Sequence, residues 1–216
     1  MILNIWKSGQ SRKPKFERSY ETSNSQKVPV HKFDSIYLLH GKGGSPEGSV
    51  LKLQDALQSI PRSSFKHTEF KRLRMAHAAA NVRAEESFAQ ATSEYAPYFR
   101  TGSLVIGISM GGLIAAKIQE ASRPDLHVIA ISSPTGADNL RLDQKMENRV
   151  ALYSSRDPFI QGRTSTWPLL AEAYDLMWLT HDTDDHRYSL ALLINTYVNE
   201  GDLKGEAAQL WAPEPV

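Results

Sequence analysis

A mostly parallel α/β sheet, covered by helices on both faces as a three-layer sandwich, is the fold class that this sequence predicts. Short apolar runs alternate with segments of helical spacing from residue 35 to residue 199. The runs are continuously apolar rather than alternating, the pattern of strands buried on both faces. The 216 residues, 41% of them hydrophobic, fill one substantial core without an evident linker.

The chain opens on a polar stretch that carries Lys7, Arg12, Lys13, Lys15, Arg18, Lys27 and Lys32 against Glu17 and Glu21. Residues 1–33 are read as a basic polar leader, with an edge strand at residues 1–6 as an option, and 34–216 as a single domain. Phe16 and Tyr20 are the aromatics between Lys7 and Lys32, too few for the interleaving that single-strand binders use, so no nucleic-acid partner is expected. The first strand is expected at residues 35–39, ending in His40-Gly41-Lys42-Gly43-Gly44, and a helix at residues 50–57, where Val50, Leu53, Ala56 and Leu57 share a face. A strand over residues 65–73 and a helix over 84–95, closed by Pro97, come next. Further strands are expected at residues 103–106, 126–131, 149–154 and 175–180. Helices are expected after Gly111, at 168–173 and at 188–199. The stretch between Ile131 and Arg149 is too short for a large lid.

The near balance of acids and bases, with a net charge of +1, supplies no global field toward nucleic acid or anionic membranes. With no cysteine, disulfides, thiolate metal sites and cysteine nucleophiles are excluded. No stretch reaches the apolar length of a membrane span or a signal peptide, and the expectation is a soluble, cytoplasmic protein.

Gly107-Ile108-Ser109-Met110-Gly111 stands between an apolar strand and a helix. A serine in a sharp strand-turn-helix, flanked by glycines that let the two elements approach, is the arrangement of a nucleophile elbow, which makes Ser109 the candidate nucleophile. A serine hydroxyl needs a base, and the base needs a carboxylate that fixes its tautomer. Asp157 follows the strand at 149–154 and is the candidate acid, against the alternative of a turn-capping Asp-Pro. His181-Asp182-Thr183-Asp184-Asp185-His186 offers two bases. His181 adjoins the expected strand end; His186 lies deeper in the loop, before the final helix, and is the one selected. A metal site in this cluster is the rival reading, but its spacing matches no established zinc pattern, and no metal is assigned. The amide of Met110 and that of Lys42, in the glycine-rich loop after the first strand, are candidate oxyanion donors. Phe159 and Trp167 are candidates for a substrate pocket, although aromatics at strand ends are more often core.

Together these residues resemble the α/β-hydrolase superfamily over residues 35–200. The features that carry the resemblance are the apolar strand before His40-Gly41, the elbow at Ser109, Asp157 after a later strand and His186 after the last. Asp185-His186-Arg187-Tyr188-Ser189 is similar to the histidine loop of small, cap-less serine esterases and thioesterases. The resemblance implies cleavage of a small-molecule carboxylic ester or thioester through an acyl-serine, with no cofactor. An amidase or peptidase using the same triad, and a hydrolase-fold interaction protein with the basic leader as its arm, are the alternatives.

Overall fold

The computed structural model describes residues 33–61, 63, 65–75, 78–201 and 203. The expected leader therefore lies outside the described residues except for Phe33. Along the chain run β1 (Ser35–Leu39), α1 (Ser49–Ser59), β2 (Glu69–Leu73), α2 (Ala84–Glu94), β3 (Leu104–Ile108), α3 (Met110–Ala121) and β4 (His127–Ile131). They are followed by β5 (Gly136–Ala137), β6 (Leu140–Arg141), β7 (Arg149–Tyr153), α4 (Trp167–Leu170), β8 (Glu172–Asp175) and α5 (Arg187–Glu200).

Six strands form one sheet in the order β2-β1-β3-β4-β7-β8, and every neighbouring pair is parallel. β5 and β6 make a separate antiparallel hairpin between β4 and β7. Within each central strand, successive side chains enter opposite cores. Ile36, Leu38, Leu104 and Ile106 pack with α1 and α5 on one face, whereas Tyr37, Leu39 and Val105 pack with α2 and α3 on the other. Burial of each such side chain contributes about 1.5–3 kcal/mol, which is why the strands read as unbroken apolar runs.

Strand order reverses between β1 and β3. The chain leaves β1 for β2 on one side, then crosses back to place β3 on the other. Crevices that bind ligands in open parallel sheets lie outside the carboxyl ends of strands at such a reversal. Leu39 pairs with Gly107, so the loop that begins at His40 and the turn at Ser109 leave the sheet side by side.

Three element boundaries differ from expectation. The second strand begins at Glu69, because Phe65 sits in a turn in which the Thr68 N–H bonds its carbonyl at 3.2 Å. The short helix is Trp167–Leu170, and the last strand is Glu172–Asp175 rather than residues 175–180. Leu176 and Leu179 are buried, but they do so from a turn closed by Leu179 N–H to Leu176 O at 2.9 Å. Apolar content marked their burial correctly and their backbone state wrongly.

Arg149 is fully buried on β7. Its guanidinium donates to Gln119 Oε1 at 2.8 Å, Glu120 Oε1 at 3.2 Å and the Ala116 carbonyl at 3.0 Å, which ties β7 to α3. Burial pushes its pKa below the ordinary value, and the Glu120 carboxylate opposes that shift.

Candidate active site

Ser109 occupies the single residue between β3 and α3, with φ 52° and ψ −122°. This backbone conformation is strained for a residue with a side chain, and the surroundings over-determine it. The Ser109 N–H donates to the Ile131 carbonyl of β4 at 2.8 Å, and its own carbonyl accepts from Gly112 at 3.0 Å. Strand and helix are pressed together at the elbow glycines. A Cβ on Gly111 would stand 2.3 Å from the Leu39 carbonyl oxygen, and one on Gly107 would stand 2.4 Å from the Gly112 nitrogen. Because both obstacles are backbone, Gly111→Ala is expected to destabilise the fold by about 3 kcal/mol or more, measurable by urea denaturation.

Ser109 Oγ lies 3.1 Å from His181 Nε2, and His181 Nδ1 lies 2.9 Å from Asp157 Oδ2. The arrangement is satisfied when the hydroxyl donates to Nε2 and the Nδ1–H donates to the carboxylate. Asp157 is 2% exposed, and its second oxygen accepts the Phe159 N–H at 2.9 Å, so the carboxylate is fixed at both oxygens. It is delivered by the turn after β7, in which the Asp157 N–H bonds the Ser154 carbonyl at 3.2 Å. His181 is half-buried midway along the loop after β8, where the Thr180 carbonyl accepts from Ser132 Oγ at 3.2 Å.

The structure brings His181, not His186, to Ser109. Since β8 ends at Asp175, five residues separate the strand from His181, enough chain to turn it back over the sheet. His186 has moved on to the N-cap of α5, where its ring meets the edge of Trp178 at 5.3 Å between centroids. Between the two histidines, Asp184 bonds Lys52 of α1. Desolvation raises the Asp184 carboxyl, but hydrogen bonds from Lys52 and Ser49 outweigh it and hold the group below the usual carboxylate range. The side chains of this cluster thus diverge, and among the described residues no group of three or more His, Cys, Asp or Glu is gathered to hold a metal ion.

The loop after β1 lies against the nucleophile: a Cβ on Gly41 would be 3.1 Å from that of Ser109. The loop is shaped by buried His40. Its Nε2 accepts the Met75 N–H at 3.0 Å, so Nδ1 carries the proton and donates it to the Gly41 carbonyl at 2.8 Å. The Gly43 and Gly44 amides are spent on the Ala78 and Gly41 carbonyls, at 2.8 and 3.1 Å. The Lys42 amide has no protein partner among the described residues. Met110 opens α3, where first-turn amides have no acceptor within the helix.

A cavity of about 160 Å³ opens on this centre, lined by Gly41, Lys42, Ser45, Ile108, Ser109 and His181. Phe159 is 75% exposed, with its ring centroid 4.9 Å from that of His181. Trp167 does not line the cavity. It is fully buried, and its Nε1–H donates to the Ser133 carbonyl at 2.8 Å, which makes it a core residue bracing the loop after β4. The signal was ambiguous in sequence, since an aromatic at a helix start suits either role.

No protein-family sequence model matches the chain, and no curated protein matches it in sequence. Solved structures do match it in three dimensions. An alpha/beta hydrolase enzyme from the metagenome of sediments of the Mar Chica lagoon, Morocco, is similar at 14% identity, over 79% of this chain and 93% of that one, with a TM-score of 0.59. Alpha/beta hydrolase domain-containing protein 10 from mouse is similar at 9% identity, over 78% and 90%, with a TM-score of 0.58. An extracellular alpha/beta-hydrolase from a Paenibacillus species is similar at 11% identity, over 78% and 99%, with a TM-score of 0.54. At these identities the likeness is one of fold. Among the described residues, no helix is long and apolar enough to cross a membrane.

Proposed function

The chain has the α/β-hydrolase fold, and within it we propose that it is a serine hydrolase that cleaves a carboxylic ester or thioester through an acyl-Ser109 intermediate. The observation that carries this reading is the unbroken relay from Ser109 Oγ through His181 to buried Asp157, based on a strained elbow. In the first half-reaction Ser109 Oγ attacks the acyl carbonyl carbon while its proton passes to His181 Nε2. Asp157 stabilises the imidazolium, and the carbonyl oxygen, now anionic, accepts from the Met110 and Lys42 amides. The tetrahedral species collapses as the alkoxide or thiolate leaves with the proton from Nε2. In the second half-reaction Nε2 takes a proton from water, the hydroxide attacks the acyl carbon, and Ser109 Oγ departs and regains its proton, releasing the carboxylic acid.

The site cavity is small, and this favours a short acyl group. Phe159 offers an exposed ring beside His181 against which the leaving group packs. On a graded series of p-nitrophenyl esters, kcat/KM is expected to be highest for acetate to butyrate and to fall by about tenfold or more by the eight-carbon acyl group. A profile that rises steadily to long chains would contradict the short-acyl assignment. Absence of turnover on every ester and thioester tested would count against the hydrolase reading itself.

A further inference from the structure

A second cavity, of about 570 Å³, shares no lining residue with the one at Ser109 and lies between the β5–β6 hairpin and the chain that follows Asp157. Its lining joins two chemistries. Leu142 and Leu170 form its buried apolar part, and Leu169, 72% exposed, adds an unprotected apolar surface beside them. Arg141 and Arg163 supply the charge. Arg141 donates one N–H to the Leu140 carbonyl at 2.9 Å, and the Arg163 guanidinium has no partner among the described residues. The acid that also lines the cavity, Asp143, is engaged by Lys117 at 3.0 Å, and among the described residues neither arginine has an ion-pair partner.

The two arginines are held in one frame although they come from separate segments. The Arg163 carbonyl accepts both the N–H and the hydroxyl of Thr135, at 2.7 and 2.9 Å, which fastens its turn to the base of the hairpin. The Thr166 hydroxyl donates to that of Thr135 at 2.7 Å and closes the same link. Arg141 is folded over Gly136: a Cβ there would come within 2.4 Å of Arg141 Cδ. Guanidinium forks match carboxylate and phosphate oxygens, and an exposed leucine beside them gains from an apolar cover.

We propose that this cavity binds a single-chain amphiphilic anion, with its carboxylate or phosphate head on Arg141 and Arg163 and its chain against Leu142, Leu169 and Leu170. The site is separate from the Ser109 centre and does not depend on catalysis there. Calorimetric titration of the full chain with octanoate, octyl phosphate, octyl glucoside and inorganic phosphate tests it. Octanoate or octyl phosphate is expected to bind at least tenfold more tightly than octyl glucoside or inorganic phosphate, and the tighter of the two identifies the head. The Arg141→Gln/Arg163→Gln double variant is expected to lose at least tenfold in that affinity, and Leu169→Ser to weaken it severalfold. All three positions are exposed, so these variants retain the fold. Failure of both anionic amphiphiles to bind, equal binding of octyl glucoside, or undiminished binding by the double variant would overturn the proposal.

Discussion

Ser109→Ala is expected to lower kcat on p-nitrophenyl acetate by about 10⁴-fold or more while leaving the fold intact. The hydroxyl is the only atom removed. Alanine meets the same backbone at φ 52° as serine does, and the bonds that hold the elbow, from the Ser109 amide to Ile131 and from Gly112 to the Ser109 carbonyl, involve no side chain. The change in stability is therefore expected to stay within about 1 kcal/mol, whereas the acyl-enzyme route is closed altogether. A variant with near-native urea midpoint and near-native turnover would remove Ser109 from the mechanism.

His181→Ala is expected to cost a comparable factor, about 10⁴-fold in kcat, and His186→Ala no more than about twofold. His181 is the group whose Nε2 faces Ser109 Oγ and whose Nδ1 is oriented by Asp157, so in the proposed mechanism its loss leaves no base for the serine proton. His186 makes no side-chain cap on α5 and contributes an edge contact to Trp178, whose loss costs about 0.5–1.5 kcal/mol of stability. The pair of variants thus separates a chemical role from a structural one within one six-residue segment. Activity lost in His186→Ala and kept in His181→Ala would reverse the assignment.

What the sequence made legible was local or strongly periodic. The elbow glycines are dictated by a close approach of backbones, and the pattern that reports it survives in five residues. Asp157 follows a fully buried strand, whose carboxyl end is easily located from its apolar run. The order of strands and helices emerged for the same reason. The choice between His181 and His186 failed because it rested on where the last strand ends. β8 is a short edge strand with partly exposed residues, while the apolar residues that mimic its continuation, Leu176 and Leu179, are buried from a turn. A strand drawn to Thr180 holds His181 at the sheet, whereas a strand ending at Asp175 leaves five residues of loop to carry it to Ser109. Trp167 misled in a different way: whether an aromatic at a strand-end loop faces a cavity or the core is decided by tertiary packing, which composition does not encode. The same limit applies to the cavity at Arg141 and Arg163, since those residues lie in separate segments that the hydrogen bonds of Thr135 help to join.

The assignment of Ser109, His181 and Asp157 as one acyl-transfer unit is tested most directly by locating a fluorophosphonate adduct by mass spectrometry. The wild-type chain is expected to carry a single adduct on the peptide containing Ser109, absent in Ser109→Ala, slowed by at least about 10³-fold in His181→Ala and unchanged in His186→Ala. Labelling that persists in Ser109→Ala, or that proceeds at the native rate in His181→Ala, would contradict it.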